Sequence, residues 1–497
     1  MSSVVGLLTL SRHGDRQGFY QDPQTYTASL TNLTVLGYLQ ELQNGADIRA
    51  HYIADGAPSQ IQGIASVKAE NVQMNVVADA GGEGGVIMES AAAALQGLYP
   101  IFNDSLPLAN GTTVSWSRVQ LIPIDSVEVA DSYYLEGYTG CAAWTTRLNN
   151  FYSSSDFVNR AKSANAFYAS ISNALGGRPA TLQNAWNIFD SLNVQSVHNA
   201  TFAQSLPPNA LAQARYWADY HEAGSFSDPD PNNVGNIAGQ AILPVILNNL
   251  QQLANTSNPL KIVNIFGAYK PFISLFQLMG VTGFDTSSVV DYASTMLLEV
   301  HSDNSVRFLF RNGTNSTFEP YPLFQSGSAN GVPLSEFTSK LQPYSLDSDA
   351  DWCNKCATTS SIHGCDTLAA LNGTGGGQIR YAPITSTSGR HHVSPVVAGV
   401  IGAMVTLAFC LLLFLASFLF LRRGRGASTK LNQRARTVSS GPDALGNRTQ
   451  GPGVPSVAAG TTPYELESRA STSAASASAS TVAASGTGVD NKHFDAA

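Results

Sequence analysis

Charged residues are scarce in this sequence: Asp, Glu, Lys and Arg make up 12% of its 497 residues, about half the roughly 25% of an ordinary soluble domain. Residues before 396 carry 18 Lys and Arg against 30 Asp and Glu, a net of −12, and residues after 421 carry 9 against 5, a net of +4. The lack of basic residues in the long N-terminal part excludes nucleic acid as its partner, since a phosphate backbone needs a basic footprint. Cysteine is scarce too, at five in the chain. Cys410 falls inside an apolar run, which leaves Cys141, Cys353, Cys356 and Cys365, an even number that fits up to two disulfides in an oxidising compartment. Zinc is the rival reading of Cys353-x2-Cys356, but only Cys365 and His363 lie near, and no second pair completes a tetrahedral site. No other histidine has a partner at ligand spacing, which argues against a metalloenzyme. Internal repeats are absent.

Charge is missing altogether between His391 and Leu421. The core of that run, residues 396–421, would extend about 39 Å as a helix, more than the ~30 Å of hydrocarbon it must cross. Arg422, Arg423 and Arg425 follow at once, with Lys430, Arg434 and Arg436 behind them. Positive residues stay on the cytosolic side, so the large N-terminal part is expected outside or in a lumen, at the plasma membrane or a vacuole. Eight Asn-x-Ser/Thr sequons precede the span, at Asn32, Asn103, Asn110, Asn199, Asn255, Asn312, Asn315 and Asn372, a number that an Asn/Ser/Thr-rich composition accounts for largely by chance. The opening MSSVVGLLTLSRHG has no basic n-region and no cleavage site, so the expectation is that a leader is missing from its start; a reverse signal-anchor is the alternative.

Along the chain, Val4–Leu10 reads as a short buried strand. Thr34 reads as the N-cap of a helix through Arg49, with Val35, Leu36, Leu39 and Leu42 on one face. Met74–Ala78 reads as a second strand, followed by the glycine loop 81–85 and a helix from Ser90 to Leu98. Residues 145–255 read as a helical block, with runs near 156–175, 208–223 and 234–254. Ile262–Phe266 is a strand, Pro271–Met279 starts a helix, and Thr295–Val300 with Val306–Phe310 forms a hairpin. The expected organisation is an α/β ectodomain over 1–371 with an α-helical insertion at about 145–255, a stalk over 372–395, a transmembrane helix over 396–421 and a disordered cytosolic tail over 422–497.

The residues that carry chemistry are Ser11-Arg12-His13-Gly14-Asp15-Arg16, directly after the first strand. An imidazole attacks a phosphoryl group, and two arginines hold phosphate oxygens in forked, charge-assisted bonds that neutralise the transferring charge. A strand's carboxyl end is where open α/β sheets bind ligands.

Here the sequence resembles the histidine acid phosphatases, the branch of the phosphoglycerate-mutase-like superfamily that includes phytases. The pattern R-H-G-x-R matches, then Leu33-Thr34-x2-Gly37-x2-Gln40, Arg49-x2-Tyr52, the stretch from Ser90-Ala91 to Gly97-Leu98-Tyr99-Pro100, Tyr292-Ala293-Ser294, Glu299 and Arg311-Asn312-Gly313. The resemblance implies a phosphoglycerate-mutase-like sheet flanked by helices, no cofactor, and hydrolysis of phosphomonoesters through a phosphohistidine at an acidic working pH. Carried over, His13 is the nucleophile and Arg12 and Arg16 bind the phosphate.

The sequence departs from that pattern at two places. The family has a third arginine after the second strand, where this chain has Asp79-Ala80-Gly81-Gly82. The family also has a His-Asp pair after a late strand, the His binding phosphate and the Asp protonating the leaving oxygen; this chain has Gly267-Ala268-Tyr269-Lys270 there and no His-Asp dipeptide anywhere. Gly18 replaces the usual proline as well. A general acid contributes ~10²–10⁴ in rate and a preorganised phosphate ligand about 10²–10³. Lys270 is a candidate positive charge near the phosphate, Tyr269 a hydrogen-bond donor and Glu83 a proton donor. His221-Glu222 resembles a variant acid motif but lies in the helical insertion and reads as a solvated helix face. Phe19, Tyr20 and Tyr26 are candidates for the pocket rim, with surface-loop packing the plainer reading. The expectation is a membrane-anchored phosphatase of weak activity; the alternative is an inactive pseudophosphatase that binds a phosphorylated ligand or a protein.

Overall fold

The structure, a computed structural model, describes residues 2–18, 22, 24–26, 31–81 and 85–373. The chain divides into two units, Met1–Gly389 and Arg390–Ala497, and all the described residues belong to the first. The expected span and tail, and the expected stalk beyond Gly373, lie outside the described residues. Among those described, no helix is long and apolar enough to cross a membrane.

The central strand β1 (Val4–Arg12) is buried at every position, as a strand covered on both faces must be. It is followed by α1 (Val35–Tyr52), β2 (Met74–Asp79) and α2 (Val86–Leu98), then the hairpin β3 (Phe102–Pro107) and β4 (Thr113–Arg118), and the short β5 (Asp125–Val127). A helical block comes next: α3 (Ala142–Ser153), α4 (Ser155–Ser170), α5 (Ala185–His198), α6 (Ala200–Ser205), α7 (Ala210–Phe226) and α8 (Ile237–Ala254). The chain then returns to the sheet with β6 (Ile262–Gly267), α9 (Lys270–Leu278), β7 (Thr295–His301), β8 (Ser305–Arg311), β9 (Glu319–Pro320) and β10 (Val332–Pro333). It closes on α10 (Leu334–Leu341), α11 (Asp349–Cys356) and α12 (Cys365–Gly373).

The sheet runs β10-β8-β7-β1-β6-β2-β5, with β9 beside β8. Pairing is parallel from β1 through β6 and β2 to β5, and antiparallel from β1 through β7 and β8 to β10. The α/β fold read from the sequence is therefore present. Helices α8 and α9 pack Ile242, Ile246, Leu250, Phe272 and Phe276 onto one face of the sheet. Helices α1 and α2 cover the other with Ile48, Tyr52, Ala91, Ala94 and Leu98. The insertion has its own core, in which Phe157, Tyr168, Ile188, Leu192 and Ala214 join α4, α5 and α7.

The apolar face read on α1 exists but points outward: Val35 is 76% and Leu39 57% exposed. The face turned inward carries Gly37, Glu41, Asn44, Gly45 and Ile48. The reason is close packing, because a Cβ at Gly45 would collide with the Ala94 carbonyl of α2. Small residues decide this contact, and apolar periodicity does not register them. Disulfides Cys141–Cys356 and Cys353–Cys365 take all four cysteines, so the two cysteines of the C-x2-C pair bond away from each other.

Candidate active site

Strands β1 and β6 run parallel with Arg12 opposite Gly267, so His13 and Ala268 leave the sheet side by side at its carboxyl edge. His13 N donates to the Gly267 carbonyl at 3.2 Å, and its own carbonyl accepts from Ala293 N at 3.1 Å. Ala293 is held at φ +56°, a left-handed conformation that costs a non-glycine residue about 1–2 kcal/mol. The catalytic candidate is thus fixed by both neighbouring strands.

His13 is fully buried. Its Nδ1 lies 2.8 Å from the Gly14 carbonyl, which can only accept, so Nδ1 carries the proton and Nε2 the lone pair. That is the tautomer a nucleophilic imidazole needs. Gly14 is required by a close approach: a Cβ there would sit 2.6 Å from the Gly37 carbonyl at the start of α1.

The remaining motif fragments hold this loop rather than extend the chemistry. Ser90 Oγ accepts from Gly14 N at 3.1 Å and Gln40 Oε1 from Asp15 N at 2.8 Å. Thr34 caps α1 through Gly37 N and also donates to the Asp15 carboxylate. Tyr52 donates to Glu299 at 2.7 Å, and Arg49 to the Leu98 and Ser66 carbonyls, which ties α1 to β7, to the end of α2 and to the loop before β2. His198, at the end of α5, reaches Asp15 at 2.7 Å.

Arg12 and Arg16 are buried on either side of His13 in sequence. The Arg12 guanidinium is enclosed by the rings of Tyr292 at 4.5 Å, Tyr269 at 5.2 Å and Trp186 at 5.6 Å, and it donates to the Val290 carbonyl. Arg16 faces Asp190 of α5, with Nη1 at 3.0 and 3.3 Å from the two carboxylate oxygens. Burial leaves each side chain of that pair no more than 3% exposed. Asp15, Trp186, Asp190 and Tyr292 line a cleft of about 410 Å³ that reaches Arg12.

A second cavity, of about 360 Å³, also has Trp186 in its wall. It gathers the positions where the resemblance expects the third arginine and the His-Asp pair, namely Asp79, Ala268 and Tyr269, together with His221 and Glu222. The reading of His221-Glu222 as a solvated helix face is wrong. His221 is 7% and Glu222 3% exposed, because α7 buries Ala210, Ala214 and Ala218 and this stripe continues through 221, 222 and 225. The alanine ladder was the sequence signal for it. Tyr269 donates to Glu222 Oε2 at 2.6 Å, His221 Nδ1 donates to Glu222 Oε1 at 2.6 Å, and Tyr152 donates to His221 Nε2 at 2.8 Å. Burial first, and Glu222 next, hold the Tyr269 hydroxyl well above its ordinary pKa. Lys270 Nζ donates to Tyr138 Oη at 2.9 Å.

Glu83, Phe19 and Tyr20 lie outside the described residues, and Tyr26 packs against the insertion core. Trp186 and Asp190, contributed by α5, had no sequence signal. Among the described residues no group of three or more His, Cys, Asp or Glu is arranged to hold a metal ion.

A buried histidine at the carboxyl end of a central strand, flanked by arginines, defines a histidine-centred basic site on an α/β sheet. The chain belongs to the histidine phosphatase superfamily, branch 2, whose model matches residues 17–312. It is 26% identical over 377 residues to a lysosomal acid phosphatase of Xenopus laevis, covering 72% of this chain and 80% of that protein. It is 24% identical over 366 residues to a prostatic acid phosphatase of Mus musculus, covering 71% and 89%. The structure of the phytase from Citrobacter braakii aligns with a TM-score of 0.50 at 12% identity, over 70% of this chain and 99% of that one, which is a likeness of fold.

Proposed function

We propose that this protein hydrolyses phosphomonoesters through a phosphohistidine at His13, with Arg12 and Arg16 as phosphate ligands. The observation that carries the reading is the His13 tautomer: the Gly14 carbonyl holds the proton on Nδ1 and leaves Nε2 as the nucleophile at the strand end. Activity is weak on this reading, because Asp79, Ala268 and Tyr269 stand where a third arginine and a His-Asp pair would act, and a missing acid alone is worth ~10²–10⁴. A second reading, a pseudophosphatase that binds a phosphorylated ligand or a protein without turnover, is favoured by the Arg16–Asp190 pair, since a carboxylate already sits on one phosphate ligand.

The proposed setting is an ectodomain over 1–371, a stalk over 372–395, a membrane helix over 396–421 and a cytosolic tail over 422–497. An extracellular or luminal site for the ectodomain is supported by its two disulfides and by the exposure of all seven described sequon asparagines. The test is phosphate release from an aryl phosphate and from inositol hexakisphosphate, from acid to neutral pH, by the full chain and by His13→Ala. An aryl phosphate has a good leaving group and needs little acid help, so it reports the nucleophile. Turnover that vanishes in His13→Ala supports the phosphatase; turnover equal in both proteins, or absent from both, refutes it.

A further inference from the structure

A third cavity, of about 480 Å³, adjoins the cleft that reaches Arg12 and shares Arg215 and Asn312 with it. Its volume is that of a small-molecule site. Three rings line it, Phe284, Phe310 and Tyr321. Phe284 stacks on Phe310 with centroids 4.9 Å apart and meets Tyr321 edge-on at 4.6 Å. Asp285, Ser288 and Thr317 add a carboxylate and two hydroxyls to the same lining. Ring faces beside short polar groups suit a sugar, whose C–H face is drawn to the ring quadrupole while its hydroxyls bond the polar groups. An asparagine that can carry such a sugar stands at the edge. Asn312 follows β8 directly, and side chains two apart on a strand share a face, so it lies on the side of Phe310, and both line the cavity. Asn312-Gly313-Thr314 is a sequon, Asn312 is exposed, and Gly313 turns the chain at φ +71°. The Asn312 carboxamide is oriented by its oxygen, since Oδ1 accepts from Asp291 N and from Ser294 Oγ, each at 2.8 Å. Both bonds survive when the amide nitrogen is substituted. Among the described sequon asparagines, Asn312 alone lines this cavity.

We propose that Asn312 is N-glycosylated and that its first N-acetylglucosamine seats in this cavity over Phe310 and Tyr321; this rests on the extracellular or luminal setting of the ectodomain. The donor is a lipid-diphosphate oligosaccharide of the secretory lumen. A bond forms from Asn312 Nδ2 to the anomeric carbon, the bond from that carbon to the diphosphate oxygen breaks, and the amide proton leaves with the diphosphate. The seated sugar packs against Val289 and Val290, which also line the cavity. It thereby braces the segment whose Val290 carbonyl accepts from Arg12.

The test uses the full chain, expressed behind a secretion leader in a eukaryotic cell and trimmed by an endoglycosidase to one sugar per occupied site. It is compared with Thr314→Val, which deletes the sequon and leaves the Asn312 bonds in place. Mass spectrometry with fragmentation that keeps each sugar on its asparagine reports occupancy site by site. The expected result is a sugar on Asn312, an unfolding midpoint unchanged by trimming, and a midpoint lower by about 1–3 °C in Thr314→Val. Tyr321→Ala removes part of the seat, and in that background Thr314→Val is expected to cost nothing further, which separates the sugar contact from an effect of the threonine itself. A bare Asn312 with sugar on other sequons overturns the proposal. So do equal midpoints for the trimmed chain and Thr314→Val, or a loss that persists in Tyr321→Ala. A chain with no sugar on any sequon refutes the extracellular or luminal setting, and the proposal with it.

Discussion

Glu41 lies fully buried on the inward face of α1. Asn44 Nδ2 donates to its Oε2 at 3.3 Å, and its Oε1 has no hydrogen-bond partner among the described residues. Burial pushes its pKa from 4.5 up to about 8, against the smaller lowering pull of Asn44 and Arg311. The folded protein therefore keeps a proton over a range in which the unfolded chain releases it. This stabilisation is complete below about pH 4.5 and is lost as the pH rises towards 8. Each pH unit inside that window is worth about 1.4 kcal/mol, so the whole is ~3–5 kcal/mol. Glu41→Gln keeps the shape of the neutral carboxyl and cannot ionise. Urea unfolding of both proteins between these limits is expected to show near-equal stability at the acid end and an advantage for the variant that grows by ~3–5 kcal/mol towards the alkaline end. A difference that stays constant with pH would mean that Glu41 is charged in the fold, and the reasoning would be wrong.

Asp190→Ala removes the Asp190 carboxylate from the buried Arg16 guanidinium and is expected to destabilise the protein by up to about 3–5 kcal/mol, read from the same urea midpoints. Phosphate at millimolar concentration is expected to restore part of that loss by binding beside Arg16. Cys141→Ser opens a loop of 215 residues and Cys353→Ser one of 12; the chain-entropy relation gives ~5 against ~3 kcal/mol, so the first variant should unfold at the lower urea concentration.

The sheet was legible because its strands are apolar on both faces. Val4–Leu10 and Ile262–Phe266 announce buried strands, and the residues after the first carry the motif. Side chains whose role depends on a distant element were not legible. Asp190 meets Arg16 across 174 positions and Trp186 packs against Tyr269 with ring centroids 4.3 Å apart, yet α5 shows nothing that marks it as part of a site. The two misreadings share one cause. On α1, glycines allow two backbones to touch, so the leucines are left outside; on α7, alanines form the inner stripe and draw His221 and Glu222 in with them. Periodicity of large apolar residues finds faces packed by large side chains and passes over faces packed by small ones.

The disulfides also determine how the molecule bears a mechanical load. Tension at the C-terminal end of α12 passes from Cys365 to Cys353, along three residues to Cys356, and then directly to Cys141. Residues 142–352, which hold the insertion and every strand from β6 to β10, hang off that line as a closed loop. A steady pull would therefore leave those 211 residues, more than half of residues 1–373, out of the covalent force path. Reduction would put the whole loop in series and release roughly 700 Å of extensible chain, so the redox state of two bonds sets whether this domain behaves under load as a short tether or a long one.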